Sequence, residues 1–206
     1  MLSTQVPDSN VLRQFLAGQS GQPLGYPEVG ASRGEIPRGY ARDARRWIIG
    51  QGVEDFEAAV DALRTWKMFP PAWTRVFPNE VPPAEGRNFA VVIRAVGLYW
   101  INGARIVYLV DDHGPIRRGG FAYGTLADHA ERGEEAFVVE MIPDGSVWYN
   151  LSAFSRPRHW LARLGAPFTR RLQRRFAHDS YRALAAAVAL KREERKRPAK
   201  PPRGAE

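Results

Sequence analysis

GGFAYGTLADHAERGEEAF, residues 119–137, sets aromatic residues among glycines ahead of a loop and then resumes in an apolar run. At the two-residue period of a strand, Phe121, Tyr123 and Thr125 share one face, while Ala122, Gly124 and Leu126 make up the other. One side of this strand is therefore small. Missing side chains allow something bulky to approach: the C-terminal helix, a neighbouring aromatic such as Trp148, or a ligand. The glycines at 119, 120 and 124 precede no helix N-terminus that would present amides to an anion, so the stretch is a poor match to a phosphate-cradling loop.

Working outward, the same period recurs between turn signals. WTRVF (73–77) ends at Pro78, and NFAVVIRAV (88–96) follows Gly86. ARIVYLV (104–110) follows Asn102-Gly103, a dipeptide favoured in tight hairpins because both residues tolerate positive φ. EEAFVVEMI and SVWYNLSAF are joined by Pro143-Asp144-Gly145. These segments predict five or six antiparallel strands. Arg42 to Ile49 is compatible with an extended chain but ambiguous.

Helical periodicity flanks the strands. SNVLRQFLAG predicts a short helix capped by Ser9 or Asn10, with Val11, Phe15 and Leu16 inward. VEDFEAAVDALRTWKMF places Phe56, Ala59, Val60, Leu63, Trp66 and Phe69 on one face, loads acids into the early turns, and meets Pro70-Pro71. Ser155 is a candidate N-cap and Pro157 a first-turn residue for a C-terminal helix. In it Leu161, Leu164, Phe168, Leu172, Phe176, Leu184 and Val188 recur at helical spacing, with a bend expected near Gly165 and Pro167. Past Leu190 no large apolar side chain follows.

The order helix, antiparallel strands, long helix is an α+β fold whose sheet must bury one face. A curved antiparallel sheet wrapped around the long C-terminal helix is the helix-grip, START-like arrangement. Space left between helix and sheet becomes a pocket. The expected organisation is an N-terminal extension over 1–22, a single domain over 23–190, and a disordered basic tail over 191–206.

Composition narrows the chemistry. A chain of 206 residues with 44% hydrophobic content suits one substantial core. No apolar run reaches the roughly 18 to 20 residues of a membrane-spanning helix, and the first residues lack the features of an export signal, so the expected location is cytoplasmic. The absence of cysteine excludes disulfides and thiolate chemistry. The four histidines show no paired ligand spacing, so neither a metal nor any other cofactor is expected. Net charge is +8, and residues 156–206 hold fifteen Lys and Arg against four Asp and Glu. Such asymmetry is what contact with nucleic acid or an anionic membrane requires, although a chain with 26 Arg and 4 Lys also reflects a coding bias.

His129, at the centre of the loop, and Glu134 or Glu135 form a candidate acid–base pair, against the plainer reading of a histidine that caps its own loop. Arg105 opens an otherwise apolar strand. Pointing inward it would need a counter-charge, and Glu134 or Glu135 is the expected mate. Tyr123 would add a hydroxyl, and Arg156 is available for an anion.

YPEVGAS (26–32), FEAAVDALRTWKMF (56–69), ARIVYLVDD (104–112), GFAYGTL followed by HAERGEEAFVV, VWYNLSAFSRP, and RRLQRRFAHDS (170–180) together resemble the bacterial and plant family designated domain of unknown function nineteen-ninety. The likeness spans roughly residues 24 to 185. The sequence departs from the family pattern in its loop, at Ala127, Asp128, Ala130 and Arg132. The family is similar to the helix-grip superfamily of lipid-transfer, plant-allergen and polyketide-cyclase-like proteins, which implies a cavity more strongly than any chemistry.

Three functions are consistent with these readings. The leading one is binding of a small hydrophobic molecule between sheet and helix, with Arg105, Tyr123, Thr125, His129, Glu134, Glu135 and Arg156 as candidate ligand contacts and no catalytic residue assigned. The second is an interaction module in which Arg163, Arg170, Arg171, Arg174, Arg175 and the tail meet anionic lipid or nucleic acid. The third is a hydrolase or cyclase using His129 with a glutamate.

Overall fold

A computed structural model describes residues 1–129, 131–157 and 166–197. Among these residues, eight antiparallel strands form one curved sheet: β1 (Leu2–Ser3), β2 (Ala41–Gln51), β3 (Thr74–Phe77), β4 (Asn88–Ala95), β5 (Leu98–His113), β6 (Arg117–Thr125), β7 (Glu131–Met141) and β8 (Ser146–Pro157). The order across the sheet is β2-β8-β7-β6-β5-β4-β3, with β1 on β5. From β3 through β8 the strands form a meander, and β2 returns to pair with β8 at the far edge.

Helices α2 (Val53–Arg64) and α3 (Ala166–Lys196) pack on the concave face. Phe56, Ala59 and Leu63 of α2, with Ala177, Leu184 and Val188 of α3, bury against Phe89, Ile106, Phe121, Phe137, Val139, Tyr149 and Leu151. The convex face carries α1 (Ser9–Gly18), whose Leu12 is wholly buried against Ala90, Val92 and Ile101. The cap of α1 is Asp8, which accepts from the N–H groups of Asn10 and Val11, rather than Ser9 or Asn10.

Several predicted boundaries move. The β4–β5 hairpin turns at Val96-Gly97, both at positive φ (47° and 76°), with Ala95 opposite Leu98. Asn102-Gly103 lies inside β5 instead, where a side chain on Gly103 would press on Leu126 and Gln19, so close packing explains this glycine. Helix α2 ends well before the prolines. Trp66 adopts φ 61°, its N–H reaches the Leu63 carbonyl and the Lys67 N–H reaches that of Ala62, which is a Schellman closure with tryptophan in the usual glycine position. The exchange is sustained by packing: Trp66 is buried against Phe69, Phe89 and Phe121.

Ser155 is no helix cap, because β8 continues through Pro157. Leu161, Leu164, Arg163 and Gly165 lie outside the described residues. At its other end α3 continues past Leu190 to Lys196 without apolar residues. It is held there by Arg192 and Arg195, which both donate to Asp55, a carboxylate only 3% exposed in the first turn of α2.

Candidate functional site

Strand alternation sends the two adjacent glutamates of β7 to opposite faces of the sheet. Glu134 lies on the convex side, in a row with Gly124 and Phe154. Over this row passes the irregular segment of residues 24–40, which contains a 3₁₀ turn at Ala31–Arg33. Glu134 accepts from the Tyr26 hydroxyl (2.7 Å), the Gly30 N–H (2.5 Å), the Ser32 N–H (3.1 Å) and the Ser32 hydroxyl (2.6 Å). Among the described residues, four donors and no cation satisfy a carboxylate that is 2% exposed. A bulge in β5 between Ile106 and Tyr108 turns Tyr108 to this same face, where its hydroxyl meets Ser32 at 2.8 Å.

The bulky group that the small strand face admits is Tyr26. A methyl on Gly124 would sit 2.0 Å from the Tyr26 hydroxyl oxygen. Burial, reinforced by the Glu134 charge, pushes the Tyr26 pKa far up, so the phenol stays a donor. This assembly explains two of the sequence motifs at once: YPEVGAS supplies the donors and GEE the acceptor.

Glu135 lies on the concave side, opposite Tyr123 on β6 and Ala153 on β8, and Ala153 is opposite Asp43 on β2. A row Tyr123–Glu135–Ala153–Asp43 thus crosses four strands, with a small residue between two acids. The Tyr123 hydroxyl donates to Glu135 at 2.5 Å. Tyr123 also stacks on Phe137 (5.8 Å between ring centres) and meets Phe89 edge-on (5.3 Å). Desolvation pushes the Glu135 carboxyl up to about 7; the Tyr123 hydrogen bond opposes the shift, and Asp43 and Glu131 add to it. Arg45 is paired with Asp43 at 3.1 Å.

Among the described residues, Gln173 of helix α3 reaches this end of the concave face. Gln173 donates to Glu131 at 2.8 Å and lies 3.4 Å from the Ser155 hydroxyl. Burial raises the Glu131 pKa against these bonds. Asp43, Arg45, Glu131, Ser155 and Gln173 were all missed as site residues. Alternation in ARDARRW would have put Asp43, Arg45 and Trp47 on one face, but the facing side of β8 cannot be read from sequence.

The remaining candidates do not converge here. Thr125 is buried, and its hydroxyl accepts the Gly133 N–H at 3.1 Å, closing the β6–β7 loop. His129 accepts the Glu131 N–H through Nδ1 at 3.0 Å, and burial lowers its pKa to about 4, so it is a neutral loop cap. Among the described residues no carboxylate pairs with it, which removes the geometry for a His129–glutamate acid–base pair. Arg105 is on the convex face, donating to Asn88 (2.7 Å) and to the Gln22 carbonyl (2.8 Å) rather than to either glutamate. Arg156 is also convex, its guanidinium 4.4 Å from the centre of the Tyr40 ring.

Among the described residues, an open groove of about 630 Å³ runs between α1 and the β3–β4 edge, lined by Ser9, Arg13, Leu16, Phe77 and Arg87. It lies away from the concave row, and its arginines are engaged locally, Arg13 with Asn10 and Arg87 with the Pro82 carbonyl. No group of three or more His, Asp or Glu among the described residues is placed to hold a metal ion.

A curved antiparallel sheet closed over a long C-terminal helix, with a polar row at one end of the concave face, defines a helix-grip domain. Solved structures agree at the level of fold. The hypothetical protein jhp0584 from Helicobacter pylori superimposes with a TM-score of 0.52 at 12% identity, over 72% of this chain and 88% of that one. Ara h 8.0201 gives 0.51 at 12% identity over 74% and 99%. The di-domain ARO/CYC StfQ of the steffimycin biosynthetic pathway gives 0.51 at 13% identity over 75% and 52%.

The chain belongs to the family described as domain of unknown function DUF1990, whose model matches residues 25–183. Relatives are a UPF0548 protein of Dictyostelium discoideum, 40% identical over 68% of this chain and 69% of that protein, and one of Deinococcus radiodurans, 32% identical over 91% and 99%.

Proposed function

We propose that the chain binds a small, largely apolar molecule between the concave face of the sheet and the first half of α3. The observation that carries this reading is the placement of Tyr123 and Glu135. Both point to the side that α3 covers, Tyr123 packs against the core aromatics Phe89 and Phe137 and donates to Glu135, and both nevertheless keep part of their accessible surface. A polar pair at the edge of an aromatic wall is the composition of a ligand pocket: apolar area for affinity, a few convergent polar groups for orientation. Glu135 carries its proton at slightly acid pH and so presents a neutral acid to a ligand hydroxyl or carbonyl.

Native mass spectrometry of the purified full chain should show a retained small molecule, and titration with a neutral solvatochromic dye such as Prodan should give saturable binding. Ala153→Trp, which fills the middle of the polar row, should abolish both. A wild-type chain with no added mass and no saturable dye binding would overturn the reading, as would an Ala153→Trp variant that binds the dye unchanged.

A further inference from the structure

Two faces of α3 differ in charge. Gln173, Ala177 and Ser180 turn inward, to Glu131, to the core and to the Tyr149 hydroxyl. Arg170, Arg171, Arg174, Arg175, His178 and Arg182 are all exposed. At 3.6 residues per turn these six fall within an arc of about 140° and a length of about 18 Å. The one acid between 170 and 182, Asp179, is drawn aside by the Trp73 indole N–H (3.0 Å) and by Arg175 (3.3 Å). Arg171, Arg174 and Arg182 form no ion pair among the described residues. Nearer the C-terminal end the helix is compensated: Arg192 and Arg195 meet Asp55, Lys191 meets Glu194, and Lys196 meets Glu193.

We propose that this arginine stripe is a docking surface for the headgroup plane of an anionic lipid bilayer. Guanidinium groups are weakly hydrated and match phosphate geometry, so several in one plane complement a surface of phosphate esters. A nucleic acid is a poorer match. Among the described residues, the aromatics beside the stripe are engaged elsewhere, Trp73 and Phe176 with Phe69 and Phe137 and Tyr181 with Trp47, and offer no stacking platform for bases. The helix packs along α2 and the sheet. The stripe also covers the outer side of the turns whose inner side holds Gln173, so docking would set the roof of the concave face against the membrane. The charge display does not depend on whether that space holds a ligand.

Co-sedimentation of the full chain with vesicles tests this. The chain should sediment with phosphatidylcholine vesicles containing phosphatidylglycerol and stay in solution with phosphatidylcholine alone. Each arginine near an anionic surface contributes about five-fold, so Arg170→Glu/Arg171→Glu/Arg174→Glu, which reverses three charges, should weaken binding by more than about 100-fold. The corresponding triple lysine variant should keep most of it, and the milder Arg171→Gln/Arg174→Gln pair should lose about 20-fold with an unchanged circular dichroism melt. The proposal is overturned by absence of sedimentation with the anionic vesicles, by equal sedimentation with neutral ones, by undiminished binding of the substituted chains, or by tighter binding to mixed-sequence RNA or DNA at the same salt.

Discussion

Glu134 and Glu135 are neighbours in the chain and serve opposite faces of the sheet: Glu134 fastens the segment of residues 24–40 over the convex side, and Glu135 meets Tyr123 on the concave side. One residue of register separates an anchor from a candidate ligand contact. Substitutions at the two positions should therefore differ in kind.

Glu134→Gln should cost about 2 to 3 kcal/mol, because an amide offers one acceptor oxygen to four donors and turns its own N–H groups toward them. Tyr26→Phe, which removes one of the four donors, should cost about 1 kcal/mol. Urea denaturation of both single variants and the double variant measures this, and the two losses should fall well short of additive because they share one contact.

Gly124→Ala should destabilise by a similar amount. The added methyl would occupy the place of the Tyr26 hydroxyl, so Tyr26 must leave Glu134. Limited proteolysis should then cut within residues 24–40 at concentrations that leave the wild type intact. If Gly124→Ala is harmless on its own, Tyr26 does not fill this place.

At Glu135 the sign of the pH effect is set by a folded-state pKa of about 7 against an ordinary value of 4.5. Between these values the folded chain holds a proton that the unfolded chain has lost, so the contribution of Glu135 to stability is full below about pH 4.5 and falls as pH rises toward 7. His129, lowered from 6.5 to about 4, acts in the opposite sense: its contribution is full above 6.5 and is lost as pH falls toward 4. In the wild type the two slopes oppose each other. Glu135→Gln removes one, so the variant should gain stability relative to wild type as pH rises from about 5 to about 8. Denaturation midpoints at the two pH values decide it, and a constant difference between the chains would contradict the assignment.

The strand pattern and the long C-terminal helix were legible because each segment repeats its own period, and periodicity is local. What sequence concealed was decided across the chain. Asn102-Gly103 carries the stronger turn signal, yet the turn forms at Val96-Gly97, because Val92 and Ile101 are then opposite one another and bury under Leu12. Arg105 would have needed a counter-charge had it pointed inward, but its register opposite Asn88 and Gly124 puts it on the convex face. The pairing of Glu134 with Tyr26, Gly30 and Ser32 joins residues about a hundred positions apart, and the motifs showed only that both ends were distinctive. The end of α3 was misjudged because its anchor is ionic, and an apolar stripe cannot reveal a salt bridge to another helix.

That ionic anchor permits a more searching test. Burial pushes the Asp55 carboxyl up, but the bonds from Arg192, the Gln51 N–H and Arg195 outweigh it and leave the pKa below 3.8. In the wild type the contribution of Asp55 is therefore present above about pH 4 and is lost as pH falls through the folded value. Arg192→Ala/Arg195→Ala strands a buried charge and should cost about 3 kcal/mol at neutral pH. Asp55→Asn removes the charge itself and frees two half-exposed arginines into water, so it should cost less, about 1 to 2 kcal/mol. Added to the arginine double variant, Asp55→Asn should restore stability. Without its arginines the carboxyl keeps its desolvation and only the Gln51 bond, so acidification toward pH 4 should narrow the gap between the double variant and the wild type. Denaturant midpoints for the four chains check the ordering. Equal losses for Asp55→Asn and the double variant, with no restoration in the triple, would mean that the arginines hold α3 by packing of their stems rather than by charge.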